Sequence, residues 1–213
     1  MLNFEEFFTA CTGLWKTERI YHSIVQGGTE RSYTEYTVEA LRNEQKQQIL
    51  SVSAMNGIKV DLEQQKDAES ACPGFAIAFD TVSETGERVA MSLKALFVPD
   101  AYALTDASIQ PSPPPPVAAM VPDSEEIIRG YYLRDEGYSE AGAIAGRFTY
   151  LPTRQTLEMT TYYGRSVAID QMRIVAPDLR LRTILTYKRP EQPDQPPTII
   201  TLAGFGVERR QSL

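Results

Sequence analysis

The sequence predicts a mainly β protein of about nine or ten antiparallel strands, closed into a barrel or folded over as a sandwich, with one helix at its N-terminus. Three observations carry this. Segments in which apolar and polar residues alternate recur through most of the 213 residues. Most are joined by turn signals of hairpin length, such as Gly27-Gly28, Thr85-Gly86 and Glu136-Gly137. That many strands in an open sheet would leave edges that invite aggregation, so the sheet closes or doubles over. A barrel of eight or more strands has room for one small ligand in its mouth.

The first element is a helix over 3–12. Phe4, Phe7, Phe8 and Cys11 fall at helical spacing, Asn3 is the N-cap, Glu5 and Glu6 sit in the first turn, and Gly13 ends it. From Leu14 the period becomes two, which lines up Trp15, Thr17, Arg19 and Tyr21 on one face. A Gly-Gly turn leads to a long strand over 30–41. Residues 42–56 read as a second helix, with Ile49, Val52 and Met55 recurring every three and Asn56-Gly57 closing it. Residues 58–73 begin as a short strand or irregular segment. A hairpin follows, with strands over 75–82 and 88–98. Residues 108–117 carry Pro111 and Pro113 to Pro116, which cannot donate to a sheet ladder. They form either a loop spacer or a polyproline ligand for an SH3-like partner. Strands over 127–135, 143–150, 156–163, 171–175, 179–189 and 199–209 complete the chain with no change of class, so residues 1–213 are expected to be one domain containing the Pro-rich loop.

The strand over 179–187 places Arg180, Arg182, Ile184 and Thr186 on one face and Leu179, Leu181, Thr183 and Leu185 on the other. Two guanidiniums about 7 Å apart along a strand suit an anion, or two carboxylates of one ligand. The alternative is an amphipathic strand with its arginines in water.

Composition excludes other classes. A net charge of −7 argues against nucleic acid and against anionic membrane bound by bulk charge. No apolar run reaches the ~20 residues needed to span a bilayer. Two cysteines, Cys11 and Cys72, are too few for a disulfide framework, and with no segment resembling a signal peptide a cytoplasmic location is expected. The single His22 excludes a multi-histidine metal site, and Gly204-Phe205-Gly206 lacks the third glycine of a dinucleotide fingerprint. What remains is a ligand-holding β protein carrying Arg19, Arg180 and Arg182 with carboxylates and aromatics.

Three stretches then stand out: Leu133-Arg134-Asp135-Glu136-Gly137-Tyr138-Ser139-Glu140, Gly146-Arg147-Phe148, and Ala176-Pro177-Asp178-Leu179-Arg180-Leu181-Arg182-Thr183. Together they resemble the S/U-type phycobiliprotein lyases, the CpcS, CpeS and CpeU group. Phe7-Phe8 followed by Gly13, Trp15 and Arg19 is similar to that family's opening, and 205–209 to its closing strand, so the resemblance spans nearly the whole chain. It implies a lipocalin-like (calycin) antiparallel β-barrel with an N-terminal helix. It implies an enzyme that binds a linear tetrapyrrole, phycocyanobilin or phycoerythrobilin, as substrate and transfers it to a cysteine of a phycobiliprotein α or β subunit as a thioether. No permanently bound cofactor or metal is implied. Location would be the cyanobacterial cytosol or plastid stroma.

By the same resemblance Arg19, Arg180 and Arg182 would anchor the bilin propionates. Asp170 would bond the pyrrole N–H groups and favour a protonated, more electrophilic chromophore, with Glu208 sharing that work. Trp15, Tyr21 and Phe79 would pack against the flat rings, or serve as ordinary barrel core. Arg134, Tyr138, Glu140 and Arg147 would serve either a structural turn or the ligand, with the turn the preferred reading, and both cysteines are read as structural.

The chain departs from the family at Tyr21-His22, where a His pair is usual, at Phe79 for a Trp, at Arg173 for an aromatic, at Thr161-Tyr162-Tyr163 and in the Pro-rich insert. These bear on which bilin is carried and on whether a paralogous lyase subunit is required. If the arginines face a lumen, Leu179, Leu181 and Leu185 face outward and need cover from the N-terminal helix or a second subunit, which leads to the expectation of a homodimer. The competing function is a non-catalytic lipocalin-like bilin carrier or chaperone, and a remoter one is an interaction protein using its polyproline loop.

Overall fold

The computed structural model describes residues 1–54, 58–60, 72–105, 115–116, 126–137, 142–192 and 194–212. Asn3 opens helix α1 (Phe4–Cys11) through a capping box: its side chain accepts from the Glu6 amide at 2.9 Å, and the Glu6 carboxylate accepts from the Asn3 amide at 2.8 Å. Phe4, Phe7, Phe8 and Cys11 form its buried face, as their spacing predicts. Among the described residues twelve strands follow, with helix α2 (Asn43–Ala54) after the second: β1 (Gly13–Ser23), β2 (Thr29–Ala40), β3 (Ile58–Val60), β4 (Gly74–Ser83), β5 (Arg88–Pro99), β6 (Ala103–Thr105), β7 (Ile128–Arg134), β8 (Ile144–Leu151), β9 (Thr156–Tyr162), β10 (Ser166–Ala176), β11 (Leu179–Lys188) and β12 (Ile200–Arg210).

Ten of these close into an antiparallel barrel in the ring order β1-β12-β11-β10-β9-β8-β7-β5-β4-β2, so of the two predicted architectures the chain adopts the barrel. The first and last strands form the seam, Trp15 opposite Arg210 and Ser23 opposite Leu202. Two excursions leave the wall and meet outside it, where β3 pairs with β6.

Helix α1 plugs one end of the barrel. Phe4 stacks on Phe148 with centroids 5.4 Å apart, Phe8 packs against Phe97 at 4.7 Å, and all join one cluster with Trp15, Tyr36, Phe75 and Leu157. Burying each phenylalanine is worth about 1.5–3 kcal/mol. Tyr150 Oη donates to the Leu2 carbonyl at 2.8 Å and ties the chain start to β8.

A second cluster lies outside the wall, where Ile49 and Leu50 of α2 cover Leu96, Val98 and Leu133. The predicted apolar row of α2 is corrected here: Ile49 is buried, but Val52 is 43% exposed and Leu50 takes its place. Met55, Asn56 and Gly57 lie outside the described residues, as do all but Pro115 and Pro116 of the Pro-rich loop, and Tyr138 and Glu140. Strand β10 begins five residues before its predicted start. Its early part has an inverted pattern, with Val167 and Ile169 buried in a small outer cluster with Tyr187 while Ala168 and Asp170 face the lumen.

Strand β9 is buried on both faces, and its Glu158 is 2% exposed. The Gln171 amide donates to Glu158, but burial still pushes that carboxyl above its ordinary value. A carboxyl raised on folding contributes stability that is present below its unfolded pKa and lost as pH rises through the folded one. Glu158→Gln, which keeps an acceptor for Gln171, should therefore raise stability at pH 7 by on the order of 1 kcal/mol and leave it unchanged at pH 4, as read by urea denaturation at the two pH values.

Arg147 does serve structure. It pairs with Asp100 through two bonds of 2.8 and 2.6 Å and lies 4.4 Å from the Tyr131 ring centroid, outside the barrel. The predicted outward leucines behave differently from one another. Leu185 packs against the outer cluster, whereas Leu181 is 41% exposed beside Val207 and near Phe205, themselves 45% and 51% exposed. Helix α1 does not cover this strip, because it sits in the barrel end.

Candidate functional site

Above the plug lies a lumenal cavity of about 420 Å³. Strand alternation decides its wall. Arg19 and Tyr21 point in from β1, Phe79 from β4, Asp170 from β10, and Arg182 and Ile184 from β11. The cavity runs out to a rim at Glu30, Glu87 and Val89. Gly204 and Gly206 of β12 leave the space this wall needs: a Cβ at Gly204 would meet the Tyr21 ring at 2.7 Å, and one at Gly206 would meet Arg19 Cγ at 3.1 Å. The two glycines thus let long side chains from β1 lie across their neighbour, a packing role their failed dinucleotide pattern concealed.

Three residues named from the sequence, Trp15, Arg180 and Glu208, lie beneath the cavity floor and not on its wall, each no more than 1% exposed. Arg180 carries its guanidinium 3.7 Å from the Trp15 ring centroid, which takes up that ring's face. It donates to the Tyr36 hydroxyl, and its Nη2 lies 3.0 Å from Glu208 Oε2, off the axis of a hydrogen bond, so that oxygen is a charge partner only. Arg19 Nη2 reaches Glu208 Oε1 at 3.5 Å, linking floor to wall. Burial pushes the Glu208 carboxyl up, but the charges of Arg180, Arg182 and Arg19 outweigh it and hold it below its ordinary value. Burial pushes the Tyr36 hydroxyl far up, so it stays a neutral phenol.

On the wall, Arg182 Nη2 pairs with Asp170 Oδ2 at 2.5 Å. Asp170 Oδ1 and Arg19 Nε are buried without a hydrogen-bond partner, which is costly unless something else completes them. Three guanidiniums, Arg19, Arg180 and Arg182, face two carboxylates, Asp170 and Glu208, leaving this group one positive charge in excess. The arrangement can hold an acidic ligand and offer it one carboxylate oxygen as an acceptor or proton carrier.

Reading the sequence missed Tyr36 and preferred a turn over the ligand for Arg134. Arg134 instead lines this cavity, 2% exposed, with Tyr132 and Tyr163. The alternation of β7 carried the signal, but Asp135 and Glu136 immediately after it gave the segment the look of a charged turn. Cys11 and Cys72 are free and buried, and burial pushes both thiols up, that of Cys72 to about 11.

Comparison with known proteins places these features. The model of the CpeS-like protein family matches residues 3–106 and 115–211. The chain is 37% identical over 207 residues to "Chromophore lyase CpcS/CpeS 1" of Synechococcus sp. (strain JA-3-3Ab), covering 97% of this chain and 96% of that one. It is 27% identical over 180 residues to "Chromophore lyase CpcS/CpeS 2" of Synechocystis sp., covering 84% and 77%. The solved S-type phycobiliprotein lyase CPES of Guillardia theta shares the fold, with a TM-score of 0.66 at 18% identity over 100% of this chain and 95% of that one. With a family model matched along nearly its whole length and a relative of this identity, the chain belongs to the CpeS-like family.

Proposed function

We propose that this chain is a chromophore lyase that takes a linear tetrapyrrole, phycocyanobilin or phycoerythrobilin, into the barrel and delivers it to a cysteine of a phycobiliprotein α or β subunit. The observation that carries this is the lumenal pairing of Arg182 with Asp170, whose second oxygen is buried and unpartnered in the cavity that Arg19 also lines, in a chain so similar to proteins named chromophore lyases.

In this reading the propionates lie on Arg19 and Arg182, where guanidinium forks match carboxylates. Asp170 Oδ1 accepts the pyrrole N–H groups and can carry the proton that makes the ring A ethylidene more electrophilic. Tyr21 and Phe79 flank the rings. Arg180 and Glu208 act from below by fixing Arg19, so they position the site without touching the ligand. The acceptor protein supplies the thiolate. Its sulfur bonds to the ethylidene carbon, the conjugated system receives the electron pair and then a proton, and the S–H has added across one double bond with no leaving group. Cys11 and Cys72, buried with raised thiols, have no part in this. The bilin is thus a passing substrate, and the reaction belongs where phycobiliproteins are assembled, in the cytosol or plastid stroma.

The test is to co-produce the chain with a bilin and phycobiliprotein subunits and look for bilin fluorescence on an acceptor band after denaturing electrophoresis. A coloured band that depends on this chain and on one acceptor cysteine is expected. Bilin on this chain with no coloured acceptor would turn the assignment toward a carrier.

We further propose that the exposed strip of Leu181, Phe205 and Val207 is covered by a second copy of the chain. Leu181→Lys should then shift the wild-type dimer to monomer in analytical ultracentrifugation while bilin binding is retained, and a wild type that is monomeric at high concentration would remove the proposal.

A further inference from the structure

The arginines that face the cavity from β1 and β11 have a counterpart across the lumen. Strand β7 stands five places from β12 around the ten-strand ring, which is diametrically opposite the seam. From it Arg134 Nη2 donates to the hydroxyl of Tyr163 at 2.7 Å, and both side chains line the same cavity as Arg19 and Arg182. They are 2% and 5% exposed, so neither is a solvated surface group. The guanidinium lies 5.4 Å from the Tyr132 ring centroid and 5.9 Å from that of Tyr163. Tyr163 is also held by its backbone: its amide donates to the Ser166 carbonyl at 2.8 Å, and its carbonyl accepts from Arg189 Nη1 at 2.7 Å.

A phenol oxygen that accepts from a guanidinium still has its own proton to give. The cation behind it strengthens that donation, because linked hydrogen bonds polarise one another in a buried setting. Among the described residues nothing accepts the Tyr163 proton, although the group is buried. We propose that the Tyr163 hydroxyl, backed by Arg134, is a second ligand subsite that donates to a neutral carbonyl at one end of the bound molecule. This rests on the bilin reading above. A linear tetrapyrrole carries its two propionates on the middle rings and a lactam carbonyl on each terminal ring. Carboxylates held at the Arg19–Arg182 wall leave the terminal rings free to turn. A donor at the end of β9, backed by Arg134 from the opposite wall, fixes one of them, and with it the shape and direction in which the chromophore lies.

The experiment titrates the full chain and Tyr163→Phe with phycocyanobilin and with its propionate dimethyl ester, following visible absorbance and circular dichroism. Wild type should bind phycocyanobilin with an induced dichroism band. Tyr163→Phe should bind about tenfold more weakly, the scale of one hydrogen bond assisted by a charge, with a changed band. The same loss should appear with the diester, because the contact is to a carbonyl. Arg134→Gln should change the band in the same direction by less, and it decides the matter if the Phe variant does not fold. Binding and dichroism unchanged in the variants overturn the subsite. A loss seen with the free acid but absent with the diester also overturns it, since Tyr163 would then meet a carboxylate. Failure of the wild type to bind any bilin would instead sink the reading on which the subsite rests.

Discussion

Glu208→Ala is expected to cost about 3–5 kcal/mol of folding stability at pH 7, the scale for breaking a buried ion pair by removing one partner. Glu208 is fully buried between Arg180 and Arg19. Without it, Arg180 keeps the Tyr36 hydroxyl and the Trp15 ring but has a buried charge with no anion beside it. The pH dependence has a definite sign. Glu208 is held below its ordinary value, so its contribution is complete above the unfolded carboxyl pKa and lost as pH falls through the folded one. The gap in urea midpoint between wild type and variant should therefore be widest near neutrality and close in acid. Equal midpoints at pH 7 would show that the floor does not depend on this pair.

Asp170→Asn is expected to reduce transfer of bilin to the acceptor by about 10²–10⁴-fold, the usual worth of a positioned acid or base, while bilin affinity changes less than tenfold. The asparagine keeps the shape and one acceptor oxygen, but it loses the charge that would stabilise a protonated chromophore and the ability to carry its proton. Binding suffers less because Arg182, relieved of its partner at 2.5 Å, can still take a propionate. Absorbance titration measures the affinity, and the yield of coloured acceptor under denaturation measures the transfer. Loss of binding with transfer per bound bilin intact would reverse the roles given to Asp170 and Arg182.

Much of the architecture could be read from the chain because closed antiparallel sheets repeat a period-two code. The alternation of 179–187 put Arg180 and Arg182 on one inward face, and the spacing of Phe4, Phe7 and Phe8 gave the plug. The failures have common causes. Depth within the lumen is invisible to alternation, so Arg180 on the floor and Arg182 on the wall look alike although they are neighbours on one face. Strand β10 started early because polar residues face in and apolar ones face out. Position around the ring is set by the order of closure, and only that order brings Arg134 across from the β1–β12 seam, in a segment whose charges otherwise read as a turn.

The seam between β1 and β12 also dictates when the site comes into being. Arg19 is synthesised long before the glycines that make room for it, Gly204 and Gly206, because β1 and β12 lie far apart in sequence. Helix α1 is made before every strand, yet Phe148 and Tyr150, on which it packs, follow about 140 residues later. Contacts this distant in sequence make folding slow, because loop closure must precede the reward. Until the final strand docks, β1 and β11 each present an open edge and the plug has no complete socket. A nascent chain that lacks β12 should thus have neither chamber nor seam, and the proposed capacity to hold a chromophore should appear in one step, once that strand is made.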